Sequence, residues 1–168
     1  MRKKRADIVI LADTRLSKDI ENQVKAEWGG HAIFSSFNSQ SRGVVIFINK
    51  DLPAKILYSF NDTGGNIAAV LIEIEGKRVL IEGIYGPNQD VPSFYADEVF
   101  KRLTTWNPSF AVYVGDWNLA LNPQMDTLNY QQVNNPKARD ELLEKMEEND
   151  LIDVFRTLHP TEHTYSWK

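Results

Sequence analysis

The sequence predicts an α/β chain of the α+β kind, with two packed β-sheets and helices outside them, or a single mixed sheet. Short apolar runs alternate with amphipathic helical stretches, the pattern of mixed layers. One pair of runs, "NIAAVLIEIEGKRVLIEGIYGPN", is joined by a tight turn at Gly76-Lys77, so its strands are antiparallel and a purely parallel doubly wound sheet is disfavoured. The 168 residues suit one domain, expected over 1–168.

The elements follow in chain order. "ADIVILAD" (6–13) reads as a strand that begins almost at once. Ser17 is a candidate N-cap, and Ile20, Val24 and Trp28 recur at helical spacing, so a short amphipathic helix is expected over 17–28. "RGVVIFINK" is a strand, and the 66–88 stretch is the hairpin. Asp90 to Leu103 reads as a helix carrying Phe94, Val99, Phe100 and Leu103. "SFAVYVGDWN" is a further strand, and 119–136 a long polar loop. A helix starts near Pro136 with Leu142, Leu143 and Met146 on its apolar face. "EHTYSWK" looks like the beginning of another strand.

Composition narrows the function classes. With 42% hydrophobic and 25% charged residues, the chain is an ordinary globular sequence. A net charge of −4 excludes a globally basic nucleic-acid binder, so any polyanion site is local. There are no cysteines, which excludes a disulfide scaffold and thiolate zinc sites. "IVILA" is too short for the apolar core of a signal peptide, and no run approaches the roughly 20 apolar residues of a membrane helix, so no membrane partner is expected. Walker, Rossmann and zinc motifs are absent.

Three apolar runs end in polar side chains. "IVIL" leads to Asp13-Thr14-Arg15, "VLIEGI" to Tyr85-Gly86-Pro87-Asn88, and "FAVYV" to Gly115-Asp116-Trp117-Asn118. On an extended chain Asp116 and Asn118 share one face, with Trp117 on the other. Each ending is also ordinary turn chemistry. Together they point to a site provided that the strands are neighbours with their ends on one edge.

These segments, with "GVVIFI", "YVGDWNLALNPQMD" and "NDLIDVFRTLHPTEHTYSW", resemble the endonuclease/exonuclease/phosphatase superfamily over nearly the whole chain. The nearest likeness is to the apurinic-type endonuclease domain of non-LTR (LINE-type) retrotransposons. The resemblance implies a four-layer αββα sandwich of two mixed β-sheets flanked by helices. It implies hydrolysis of DNA phosphodiesters with Mg²⁺, Mn²⁺ being the alternative ion, and strand nicking that primes reverse transcription.

The residue roles carry over by motif. Asp13 stands where the family has a metal-binding glutamate, one methylene shorter. Asp116 matches the aspartate that orients or deprotonates the attacking water, and Asn118 the asparagine that holds the water or the phosphate. Tyr85 matches a tyrosine donating to the phosphate, Asn88 a neighbouring phosphate contact, and Thr164 a threonine near the DNA groove. Arg15 is a candidate contact to the DNA backbone, as is Arg42. Asp126 is expected to be structural, and His31, His159 and His163 match no catalytic histidine. "RKKR" at 2–5 is more readily solvated than phosphate-binding.

Two departures qualify the likeness. The family's asparagine-bearing first strand is not matched by Met1–Arg5, and no segment matches its final aspartate–histidine pair. The sandwich is therefore expected to be incomplete and the fragment weak or inactive, with a homo-oligomer covering exposed sheet edges, or a longer polyprotein carrying reverse transcriptase, as the remedies. The competing readings are a catalytically dead relict or DNA/partner-binding module, and a small-molecule phosphoesterase. Localisation follows from substrate: intracellular, and nuclear for genomic DNA.

Overall fold

The structure is a computed structural model that describes residues 6–128 and 134–163. They form two compact units. The first holds the chain up to Tyr85 together with Arg102–Asp116; the second holds Gly86–Lys101 and the chain from Trp117 on.

The first unit contains two sheets. Strands β1 (Ile8–Ala12), β2 (His31–Ser35) and β3 (Val44–Ile48) make an antiparallel sheet in the order β1-β3-β2. Strands β4 (Lys55–Asn61), β5 (Ile67–Ile74), β6 (Lys77–Tyr85) and β7 (Phe110–Asp116) make a second, in sequence order. Its β6–β7 pair is parallel, so this sheet alone is mixed.

The sheets pack face to face. Val44, Ile46 and Ile48 of β3 meet Ala68, Val70 and Ile72 of β5 and Ile81 of β6. The outer faces are covered as well, which is why β3 and β5 read as unbroken apolar runs instead of alternating ones. On the first sheet, α1 (Lys18–Trp28) packs on β2. Its Trp28 ring lies 5.0 Å from that of Phe47, and the indole N–H donates to the Ile48 carbonyl at 3.0 Å. On the second, Leu103 and Trp106 of α2 (Lys101–Trp106) pack with Ala69, Leu71 and Leu80. The layers thus run helix, sheet, sheet, helix, as expected.

Beneath α2 lies a buried ion pair. Arg102 donates to both Glu82 oxygens, at 2.7 and 2.8 Å, and its guanidinium sits 4.4 Å from the centre of the Phe60 ring. Burial pushes the Glu82 carboxyl up to about 7 against the opposing pull of Arg102. Burial, and then the Glu82 charge, push the Tyr113 phenol up as well. Along the edge strand β7, Phe110, Val112 and Val114 are exposed on the face opposite Ala111 and Tyr113.

In the second unit a single π-helical turn (Phe94–Val99) packs against α4 (Pro136–Glu148), burying Tyr95, Val99 and Leu142. Asp90 caps α4 by accepting from the Ala138 N–H at 2.7 Å and the Lys137 N–H at 3.3 Å. Asp126 ends the short α3 (Pro123–Asp126). It accepts from the Asn122 N–H at 2.8 Å and pairs with Arg156 of α5 (Val154–Leu158), the structural role expected of it.

Several expectations need correction. Strands β2 and β4 were not expected: "HAIFS" is short and opens on an exposed His31, and "KILYSFN" on an edge lacks strict alternation. The 90–103 helix is two pieces, the π-helical turn and α2. Leu143 is exposed, so the buried face of α4 is Ala138 and Leu142. The hairpin turns one residue earlier than read: Ile74 pairs with Lys77, and Glu75 and Gly76 sit at φ 50° and 72°, a type I′ turn. The expected strand at 162–168 falls largely outside the described residues, as does "RKKR".

Candidate functional site

The strand register settles whether the polar strand ends meet. Ala12, last in β1, pairs with Val44, first in β3. The preceding Gly43 N–H donates to the Gly65 carbonyl at 3.0 Å, tying the start of β3 to the start of β5. There Ile67 pairs with Ile84, and the Tyr85 N–H donates to the Asn66 carbonyl at 2.8 Å. Tyr85 in turn pairs with Asp116, last in β7. The carboxyl ends of β1, β6 and β7 therefore share one edge of the first unit, which brings Asp13, Arg15, Tyr85 and Asp116 together.

Tyr85 and Asp116 are register partners, so their side chains leave the sheet on the same face. Tyr85 is half-buried at the rim of the inter-sheet core, and Asp116 is exposed. Gly115 before it is obligatory: it sits at φ 154°, and a Cβ there would lie 1.9 Å from the Ile84 carbonyl oxygen.

At the end of β1, Asp13 is engaged. One carboxylate oxygen accepts from Nη2 and Nε of Arg15, at 2.7 and 3.1 Å; the other accepts from the Arg42 backbone N–H at 3.1 Å. The Arg15 hydrogen bond, helped by its charge and the Arg42 amide and opposed by burial, holds the Asp13 carboxyl below the usual range. Arg42 also reaches the Gly64 carbonyl and the Asn66 side chain, both at 3.4 Å, and Asn66 donates to the Tyr85 carbonyl at 2.7 Å. Asn66 was missed in the sequence, where "NDTGGN" reads as turn chemistry alone; Asp62, accepting from the Asn66 and Ile67 N–H groups, is what shapes that turn.

The chain enters the second unit after Tyr85 and again after Asp116. Asn118 stands at φ 51°, so the alternation that placed Asp116 and Asn118 on one extended face stops at Asp116. The Asn118 amide donates to the Gly86 carbonyl at 2.7 Å, and its own carbonyl accepts from the Asn135 amide at 2.9 Å. Trp117 packs as expected, its ring stacked on Tyr95 at 6.3 Å and its carbonyl accepting from the Tyr95 hydroxyl at 2.7 Å. Asn88 is exposed in this unit. Thr164 lies outside the described residues.

No family model matches the sequence. Solved structures do resemble the fold. A 3′-5′ exonuclease (NExo) from Neisseria meningitidis matches at a TM-score of 0.65 and 21% identity, over 98% of this chain and 69% of that one. An AP endonuclease from Archaeoglobus fulgidus matches at 0.69 and 19%, over 96% and 67%. A 3′ phosphatase NExo from Neisseria bound to product DNA hairpin matches at 0.68 and 19%, over 98% and 68%. The chain has the endonuclease/exonuclease/phosphatase fold. On that fold the shared strand-end edge carries Asp13, Arg15, Tyr85 and Asp116.

The resemblance implies Mg²⁺ at Asp13, and the donor set does not fit a ready-made site. Both Asp13 oxygens already accept hydrogen bonds, and among the described residues no three carboxylate or imidazole groups cluster. Mg²⁺ takes one or two carboxylates with several waters, but an oxygen shared with a guanidinium is not open to it.

Proposed function

We propose that this chain acts on the phosphodiester backbone of DNA as a strand-nicking endonuclease of the retroelement kind. The observation that carries the reading is the gathering of Asp13, Arg15, Tyr85 and Asp116 on one edge of the first unit. The nuclease-type fold supports it, and the motif match supplies the finer assignment.

In this reading Asp116 takes a proton from water, whose oxygen forms the new bond to phosphorus. The phosphorus–oxygen bond to the leaving sugar breaks, and that oxygen is protonated from solvent. Tyr85 donates to a non-bridging phosphate oxygen, where negative charge grows during attack. Arg15 offsets the same charge. The motif match adds Asn118, Asn88 and Thr164 as holders of water or phosphate. Mg²⁺ or Mn²⁺ belongs to the reaction mixture, and no step is assigned to an ion at Asp13.

The test is conversion of supercoiled plasmid to open circles, with Mg²⁺ and with EDTA in parallel. Nicking that is lost in Asp116→Ala, with the melting temperature unchanged, is the expected result. Plasmid left intact by the unaltered chain under both conditions, or nicked equally by Asp116→Ala, overturns the reading.

A further inference from the structure

The end of β1 presents a fixed cation where the motif places a metal ligand. We infer that Asp13 is a positioning residue for Arg15, and that the Arg15 guanidinium is a metal-independent contact for a phosphate of the DNA backbone. This rests on the phosphodiester reading above and deepens it.

Both oxygens of Asp13 are engaged in the arrangement that holds Arg15. One oxygen accepts two guanidinium N–H groups and the other the Arg42 amide. The backbone is shaped around this contact. Asp13, Arg15 and Arg42 all adopt positive φ, at 54°, 52° and 62°, a region that side chains with a Cβ avoid unless the surroundings hold them there. Here the surroundings do. The Thr14 N–H donates to the Gly43 carbonyl at 3.1 Å and the Arg15 N–H to the Arg42 carbonyl at 2.8 Å. Gly43 is itself tied to Gly65, and a Cβ on it would lie 2.4 Å from the Thr14 hydroxyl. The turn at 13–15 is therefore pinned to the turn at 42–43, and that to the start of β5.

The guanidinium so held still faces outward. Its side chain is 58% exposed, and Asp13 takes only its Nε–H and one Nη2–H. The Nη1 side of the fork is directed at neither Asp13 oxygen, and a planar fork suits the paired oxygens of a phosphate. Tyr85 ends β6 on the same edge, which adds a second phosphate donor there. A metal ion taking the Asp13 oxygen that holds the guanidinium has to displace Arg15, so on that oxygen the two uses compete.

The experiment is anisotropy titration of a short fluorescein-labelled DNA duplex, in EDTA and in Mg²⁺. The unaltered chain is expected to bind equally in both. Arg15→Met is expected to weaken binding about tenfold or more, the cost of a lost charge-assisted contact. Arg15→Lys does not restore it, because an ammonium cannot make the fork. Asp13→Asn weakens binding several-fold alone and adds nothing in the Arg15→Met background, the signature of one residue acting through the other. Binding that appears only with Mg²⁺, or Arg15→Met binding as tightly as the unaltered chain, overturns the inference and leaves the phosphodiester reading standing. An Asp13→Asn loss that persists in the Arg15→Met background overturns the positioning role. No binding by the unaltered chain in either condition overturns both.

Discussion

Tyr85 and Asp116 are the last register pair of the parallel β6–β7 ladder, so a phenol and a carboxylate from residues far apart in sequence leave the sheet side by side. The pairing gives the donor and the base of the proposed reaction a common frame. Tyr85→Phe removes the hydroxyl and little packing. It is expected to slow plasmid nicking by about a hundredfold, the usual cost of one donor to developing charge, with the melting temperature nearly unchanged. A rate equal to that of the unaltered chain contradicts this role.

The ion pair at the end of β1 has a pH signature. Arg15 holds the Asp13 carboxyl below its ordinary value, while the unfolded chain keeps that value. Near it the folded chain binds fewer protons, so the contribution to stability is fully present above the usual carboxylate range and is lost as pH falls through the lowered value. Asp13→Asn lacks the effect. The stability gap between the two proteins, measured by urea unfolding, is expected to hold steady at neutral pH and narrow in the acid range. A gap that stays constant through the acid range counts against the pair.

Beneath α2, Arg102→Met leaves Glu82 buried without its cation. The expected cost reaches about 3–5 kcal/mol of stability in alkaline solution, where the carboxyl is forced to ionise. Burial already pushes the Glu82 carboxyl up to about 7, and removal of Arg102 raises it further, so protonation relieves the cost. The destabilisation is therefore expected to shrink as pH falls from the alkaline side towards about 7 and to level off below it, where Glu82 is protonated in both folded proteins. A pH-independent loss, or one below about 1 kcal/mol, contradicts a tightly coupled pair.

Gly115 fixes where β7 ends. A methyl group there meets the Ile84 carbonyl, a backbone atom that cannot swing aside. Gly115→Ala is expected to cost about 3 kcal/mol and to disturb the Tyr85–Asp116 register. Full stability in this variant, measured by thermal unfolding, overturns the close-approach argument.

Strands β1, β3, β5, β6 and β7 were legible because each carries a continuous apolar run, and all appear where the runs stand. Strands β2 and β4 were hidden, since their apolar stretches are short and bounded by polar residues, although Ile33 and Ile56 pack on the inter-sheet core. The strand-end residues were visible as polar punctuation. Whether they met could not be read, because that depends on register and on the bonds between Gly43 and Gly65 and between Tyr85 and Asn66. Two local geometries also escaped. Asn118 leaves the extended region, and Asp13 is bound to Arg15; both hang on positive-φ backbone that ordinary residue types do not announce.

The most direct test of the shared edge is a double-mutant cycle between Tyr85→Phe and Asp116→Asn, read as the nicking rate of supercoiled plasmid. If the two side chains serve one phosphate, the double variant is expected to nick about as slowly as Asp116→Asn alone, because residues that act as a unit lose their effects together. Losses that multiply independently, or a plasmid left intact by the unaltered chain, contradict the account.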